Sequence, residues 1–152
     1  MMRRRAGFTF IELLMAMTIV GILAAVALPK FRDVRRRASA TQILGDFDVL
    51  RHAAMSFYVD SGYFPAEAGS AAIPRNLKRY LPNGFKMAKP QWTIDYENWT
   101  LQTKTKFTKT GIAVGVSFTT TDKQLGQTAM KLIGNAPSYT MGSKYTFLIS
   151  GF

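Results

Sequence analysis

The chain contains no cysteine and only one histidine. Without thiols it has no disulfide and no thiolate metal site, and redox compartment cannot be read from cysteine usage. One imidazole, His52, cannot supply the paired nitrogens of a histidine-based metal centre, and beside Arg51 on a helical stretch it reads as a surface or boundary residue. Acidic residues are also scarce: nine Asp and Glu face twenty Lys and Arg, for a formal charge of +11. A calcium cage needs about six to eight oxygens, and the close pairs Asp46 with Asp48 and Asp95 with Glu97 fall short of it. Nucleophile elbows and phosphate-binding glycine loops are missing as well. No catalytic residue, metal or cofactor is expected, and a structural role is favoured over an enzyme.

What is present is a long apolar run. Residues 8–28 hold no Lys or Arg and one carboxylate, Glu12. As a helix these residues reach about 30 Å, the thickness of a bilayer's hydrocarbon layer. A carboxylate at the centre of such a span costs roughly 2.5 to 3.5 kcal/mol and less near an end, so Glu12 is expected to have a partner. Two other readings compete. Arg3 to Arg5 followed by the small-x-small stretch Ala25-Val26-Ala27 is compatible with an ordinary signal peptide cut before Leu28, but such apolar regions run about 7 to 15 residues and gain nothing from Glu12. A plain one-pass anchor is the other. Lys30, Arg32, Arg35, Arg36 and Arg37 follow the span and outnumber Arg3 to Arg5, so charge counting does not favour an N-inside orientation.

The residues Gly7-Phe8-Thr9-Phe10-Ile11-Glu12-Leu13-Leu14, behind the basic leader, resemble the processing site of type IV pilins and of the pseudopilins of type II secretion. The pattern joins a leader ending in Gly, an aromatic first mature residue, Thr next, and Glu fifth. The resemblance implies a leader of residues 1–7, cut by a prepilin peptidase between Gly7 and Phe8 on the cytoplasmic side, with methylation of the Phe8 amine. It implies a transmembrane and filament-core helix over residues 8–29, loosened or broken at Gly21 and Pro29, and a periplasmic pilin-like domain over residues 30–152. Glu12 would meet the Phe8 amine of a neighbouring subunit and set axial register. The subunit would sit in the bacterial inner membrane as a single pass with its N-terminus cytoplasmic, then in a periplasmic or extracellular filament. Its partners would be copies of itself, the peptidase, membrane lipid, an inner-membrane assembly platform and minor pilins. Adhesive or motile pilus, secretion pseudopilus and competence filament stay open. The lack of cysteine departs from pilins with a C-terminal disulfide loop.

Beyond Pro29 the helical period continues. Phe31, Val34, Ala38, Leu44, Phe47, Leu50, Ala54 and Phe57 make one apolar stripe, with Arg35, Arg36, Gln42, Asp46 and Arg51 on the polar face. This amphipathic helix, residues 30–59, should stop at Gly62, where Asp60-Ser61-Gly62-Tyr63-Phe64-Pro65 resembles the turn that ends the long helix of many pseudopilins. A connection over residues 60–91, punctuated by Pro74, Pro82 and Pro90, holds a helical turn at residues 76–80. Residues 92–152 then read as a sheet. Trp92, Ile94 and Tyr96 share one face, a turn falls at Glu97-Asn98, and Trp99, Leu101 and Phe107 line a next strand. Ile112, Val114, Val116 and Phe118 alternate with smaller residues, and Tyr145, Phe147 and Ile149 form a last strand. Thr121-Asp122-Lys123-Gln124 has capping-box spacing and opens a helix with Leu125, Ala129, Leu132 and Ile133, stopped by Gly134. The expected class is α+β: a long N-terminal α-helix packed on a C-terminal antiparallel β-sheet, pilin-like.

Removing Arg3 to Arg5 would leave a mature charge near +8, which permits contact with phosphate or anionic surfaces and specifies neither. A DNA-binding minor pilin of a DNA-uptake filament is the alternative in which Arg35, Arg36 and Arg37 touch nucleic acid, with Lys86, Lys89, Lys104, Lys106, Lys109, Lys123 and Lys131 around them. Consecutive arginines on a helix diverge, so solvated faces explain them as well. Trp92 and Trp99 read as core, or as a contact surface. A membrane-anchored enzyme has no residue constellation behind it.

Overall fold

The computed structural model describes residues 7–100 and 111–150. The order of elements is α1 (Phe10–Ser61), a short 3-10 helix (Arg75–Tyr80), β1 (Thr93–Thr100), β2 (Ile112–Thr119), α2 (Lys123–Leu132), β3 (Ser138–Met141) and β4 (Lys144–Ser150). The chain divides into two compact units at Arg35 and Arg36.

In the first unit α1 is apolar all round from Leu13 to Pro29, and none of its large apolar side chains is covered; Phe10 is 76% exposed. It is long and apolar enough to cross a membrane. The helix continues through Gly21 and Pro29.

In the second unit the helix buries Ala40, Ile43, Phe47, Leu50, Ala53, Ala54 and Phe57, a stripe at helical spacing. It meets Ile94, Tyr96, Val114, Val116, Phe118, Tyr145 and Phe147 from the inner face of the sheet in one core. Phe47 packs edge-on against Phe147 with centroids 5.3 Å apart. Each fully buried Phe, Leu or Ile of this set contributes about 1.5 to 3 kcal/mol. The expected stripe began at Phe31; here Phe31 and Val34 are exposed, and burial starts at Ala40. The helix ends as expected: Gly62, at a φ of +78°, donates its N–H to the carbonyl of Tyr58.

The sheet has four described strands in the order β1-β2-β4-β3, antiparallel throughout. The expected turn at Glu97-Asn98 is replaced by strand: β1 runs through both residues, which pair with Gly115 and Val114. Tertiary contacts override their turn preference. Asn98 donates to the carbonyl of Pro65 at 2.7 Å, and Glu97 accepts from Ser117 at 2.9 Å and forms an ion pair with Lys144. Trp99 therefore belongs to β1, on the face opposite Tyr96, and packs near Tyr139. Leu101 and Phe107 lie outside the described residues. β3 was not legible as a strand: all four of its residues are exposed, and it pairs with β4 through a turn at Gly142 and Ser143.

α2 forms where expected, but its cap is Asp122 alone. The Asp122 carboxylate accepts from the N–H groups of Gln124 and Leu125 at 2.9 and 3.1 Å. Leu125 and Ala129 are buried, whereas Leu132 is exposed.

Candidate assembly segment

The first turn of α1 is built by two residues. Thr9 is the N-cap, and its N–H and hydroxyl both donate to one carboxylate oxygen of Glu12 at 2.8 Å. Glu12 in turn donates its N–H to the Thr9 hydroxyl at 3.3 Å. This reciprocal pair is a capping box, which satisfies donors that a helix start leaves open. The partner expected for Glu12 was an amine on a neighbouring chain; within the single chain it is Thr9. Thr-x-x-Glu spacing was the available signal.

Gly7 and Phe8 precede the helix and are exposed, and a β carbon built on Gly7 would meet nothing within 4 Å. The Gly7–Phe8 bond is thus reachable. Gly21 also faces open space. Pro29 lacks the N–H that would bond the preceding turn, a local weak point inside a continuous helix.

The basic residues are not equivalent. Arg35 and Arg37 are exposed, while Arg36 is half-buried and reaches Asp122 at 3.3 Å. Burial acts to raise the Asp122 carboxyl, but the N–H of Leu125, then Arg36 and the N–H of Gln124, outweigh it and hold it below the usual range. Lys89 forms an ion pair with Asp46, and Lys86, Lys123 and Lys131 are exposed. Lys104, Lys106 and Lys109 lie outside the described residues. Trp92 is core, not contact surface, and only Trp99 is half-exposed.

His52, Asp48 and Arg51 line an open groove of ≈ 770 Å³ with Phe47, Met55 and Ile149. Asp95 and Glu97 sit on the outer sheet face, buried, where Ser117 lies 3.1 Å from Thr146 and links Glu97 to it. Burial raises the Asp95 carboxyl to about 6, the Glu97 charge adds to this, and Lys144 opposes it. Burial lowers Lys144, but its bond to Glu97 and the charges of Glu97 and Asp95 raise it overall. Among the described residues no group of three or more acidic or imidazole side chains is placed to hold a metal.

Comparison with known proteins fixes the class of the N-terminus. The family model for the prokaryotic N-terminal methylation motif matches residues 2–28. The chain is 39% identical over 75 residues to a type IV major pilin protein of Neisseria gonorrhoeae, covering 47% of this chain and 46% of that one. It is 35% identical over 77 residues to a fimbrial protein of Pseudomonas aeruginosa, covering 51% and 47%. A fimbrial protein of Eikenella corrodens is 37% identical over 67 residues, covering 44% of each. The N-terminus carries the prokaryotic N-terminal methylation motif, and the three relatives named are pilin and fimbrial proteins. The match spans about half the length of these relatives. No solved structure matches the chain significantly.

Proposed function

We propose that this chain is a structural subunit of a type IV pilus or of a type II secretion pseudopilus. It is inserted in the inner membrane with its N-terminus cytoplasmic, cut between Gly7 and Phe8 by a prepilin peptidase, methylated on Phe8, and polymerised through an assembly platform with minor pilins. One observation carries the reading: a helix opened by the methylation motif leaves its whole apolar first part uncovered, while the same helix seals a sheet farther along. Such a surface is stable only in lipid or among copies of itself.

In this reading Glu12 is held by Thr9 in the lone subunit and exchanges that partner for the Phe8 amine of a neighbour on assembly. Buried ion pairs contribute little net stability, so its role is register. Gly21 and Pro29 supply weak points at which the helix loosens in the filament. DNA uptake gains no support here, because Arg36 and Lys89 are already engaged by carboxylates.

Intact-mass analysis of membrane-extracted protein tests processing: the expected chain starts at Phe8 and carries one methyl group. Gly7→Phe should block the cut without disturbing the fold, since the position faces open space. Glu12→Val should be cut and inserted as well as the parent, or better, yet form no filaments. Processed Glu12→Val protein in normal filaments would refute the register role, and a start at Leu28 would refute the whole reading.

A further inference from the structure

We infer that Lys30, Arg32 and Arg35 form a phosphate-binding collar that seats the stored subunit on anionic phospholipid headgroups at the outer rim of its membrane span. The inference rests on the proposed membrane span and adds the lipid class that span selects.

All three side chains are exposed, and none has an ion-pair partner among the described residues. They directly follow the apolar run. At 1.5 Å per residue, residues 8–28 fill about 30 Å of hydrocarbon, so the next turn and a half of helix falls in the headgroup layer. At about 100° per residue, Arg32 and Arg35 take one side of the helix and Lys30 the other. That distribution decides between two kinds of phosphate. A nucleic-acid backbone approaches a helix from one side and would leave Lys30 facing away, whereas headgroups surround a span and meet cations on every side. The placement also answers the charge asymmetry. Cations beyond the span work against an N-inside insertion. They are accounted for if the surface they face is itself anionic, since each Lys or Arg near such a surface is attracted strongly enough to shift its local lipid about fivefold.

The chain has no cysteine, so Val34→Cys gives a single reporter on the full-length protein. Val34 is exposed, beside Arg35. The dye-labelled chain is reconstituted in phosphatidylcholine vesicles that carry spin-labelled phosphatidylglycerol or, separately, spin-labelled phosphatidylcholine at the same mole fraction. At about 10 mM salt, phosphatidylglycerol should quench about fivefold more or better, and the ratio should approach one near 1 M salt as the screening length falls to about 3 Å. The triple variant Lys30→Gln, Arg32→Gln, Arg35→Gln should show a ratio near one at any salt. A parent ratio of one, or an unchanged preference in the variant, overturns the collar. So does displacement of phosphatidylglycerol by duplex DNA at lower phosphate concentration, which would assign these cations to nucleic acid. A second reporter, Val20→Cys, separates the two levels. Its quenching by aqueous iodide refutes the span and the collar together, whereas protection at Val20 without lipid preference at Val34 refutes the collar alone.

Discussion

Gly126 gives the sharpest test of how α2 meets the sheet. A β carbon built there would stand 2.1 Å from Cζ of Tyr145, 2.3 Å from Cε2 and 2.4 Å from the hydroxyl oxygen. Carbon atoms in favourable contact are about 3.5 to 4.0 Å apart, so Gly126→Ala forces the ring or the helix to move by more than an ångström. The ring has little room. Tyr145 is buried and stacked on Phe118, with centroids 5.0 Å apart and planes 15° from parallel. Overpacking of this kind costs about 1 to 3 kcal/mol. Alanine recovers up to about 1 kcal/mol of helix propensity. A net loss of about 1 to 2 kcal/mol is expected, a fall in Tm of roughly 3 to 10 °C for a unit of this size. Thermal unfolding of residues 30–152 by circular dichroism reads it. The effect should shrink in a Tyr145→Leu background, giving a coupling of about 1 kcal/mol. An unchanged or raised Tm for Gly126→Ala would refute the close approach of α2 to β4.

Residues 30–152 should fold alone as a soluble monomer, because the sheet covers the stripe from Ala40 to Phe57, and Phe47→Asp should abolish folding by leaving an unpaired charge opposite Phe147; a dispersed NMR spectrum from that variant would count against the packing. Asp95, raised to about 6, holds its proton more tightly in the folded chain than in the unfolded one, so its contribution to stability is full below about 4 and lost as pH rises through about 6. Asp95→Asn should therefore gain in Tm over the parent at pH 8 relative to pH 4, and a pH-independent difference would contradict the buried environment.

The elements that sequence reasoning reached are those whose apolar period is uninterrupted. The long helix, β2 and β4 each carry a repeat of 3.6 or 2 that survives into the fold, and the stop at Gly62 rests on its positive φ. The failures share a cause, which is that a distant partner outweighed a local preference. Glu97 and Asn98 look like a turn until Ser117, Lys144 and Pro65 claim their side chains. β3 has no apolar alternation because it is an exposed edge strand, specified only by its pairing with β4. Phe31 and Val34 keep the helical period yet lie outside the core, since periodicity marks a face and not where its cover begins. At the candidate site the methylation motif was legible over residues 2–28, and the Thr9–Glu12 capping box was signalled by its Thr-x-x-Glu spacing, although a lone charge in an apolar run points first to a partner on another chain.

The uncovered helix also limits what can drive assembly under the proposed function. Lipid tails are as apolar as the side chains of residues 8–28, so passing from bilayer to helix bundle gains almost nothing from the hydrophobic effect. Close packing supplies part of the difference, but apolar side chains without a polar mark can slide past one another along the axis. Glu12 is the single carboxylate in that surface, and Thr9 already satisfies it in the lone chain. Any neighbour must therefore offer more than a capping box does, and the new amine exposed by cleavage is the one group of opposite charge that processing creates beside it. The uncut chain lacks that amine at Phe8. On that proposal cleavage would license assembly, because it would change which partner Glu12 can find while leaving the apolar helix the same.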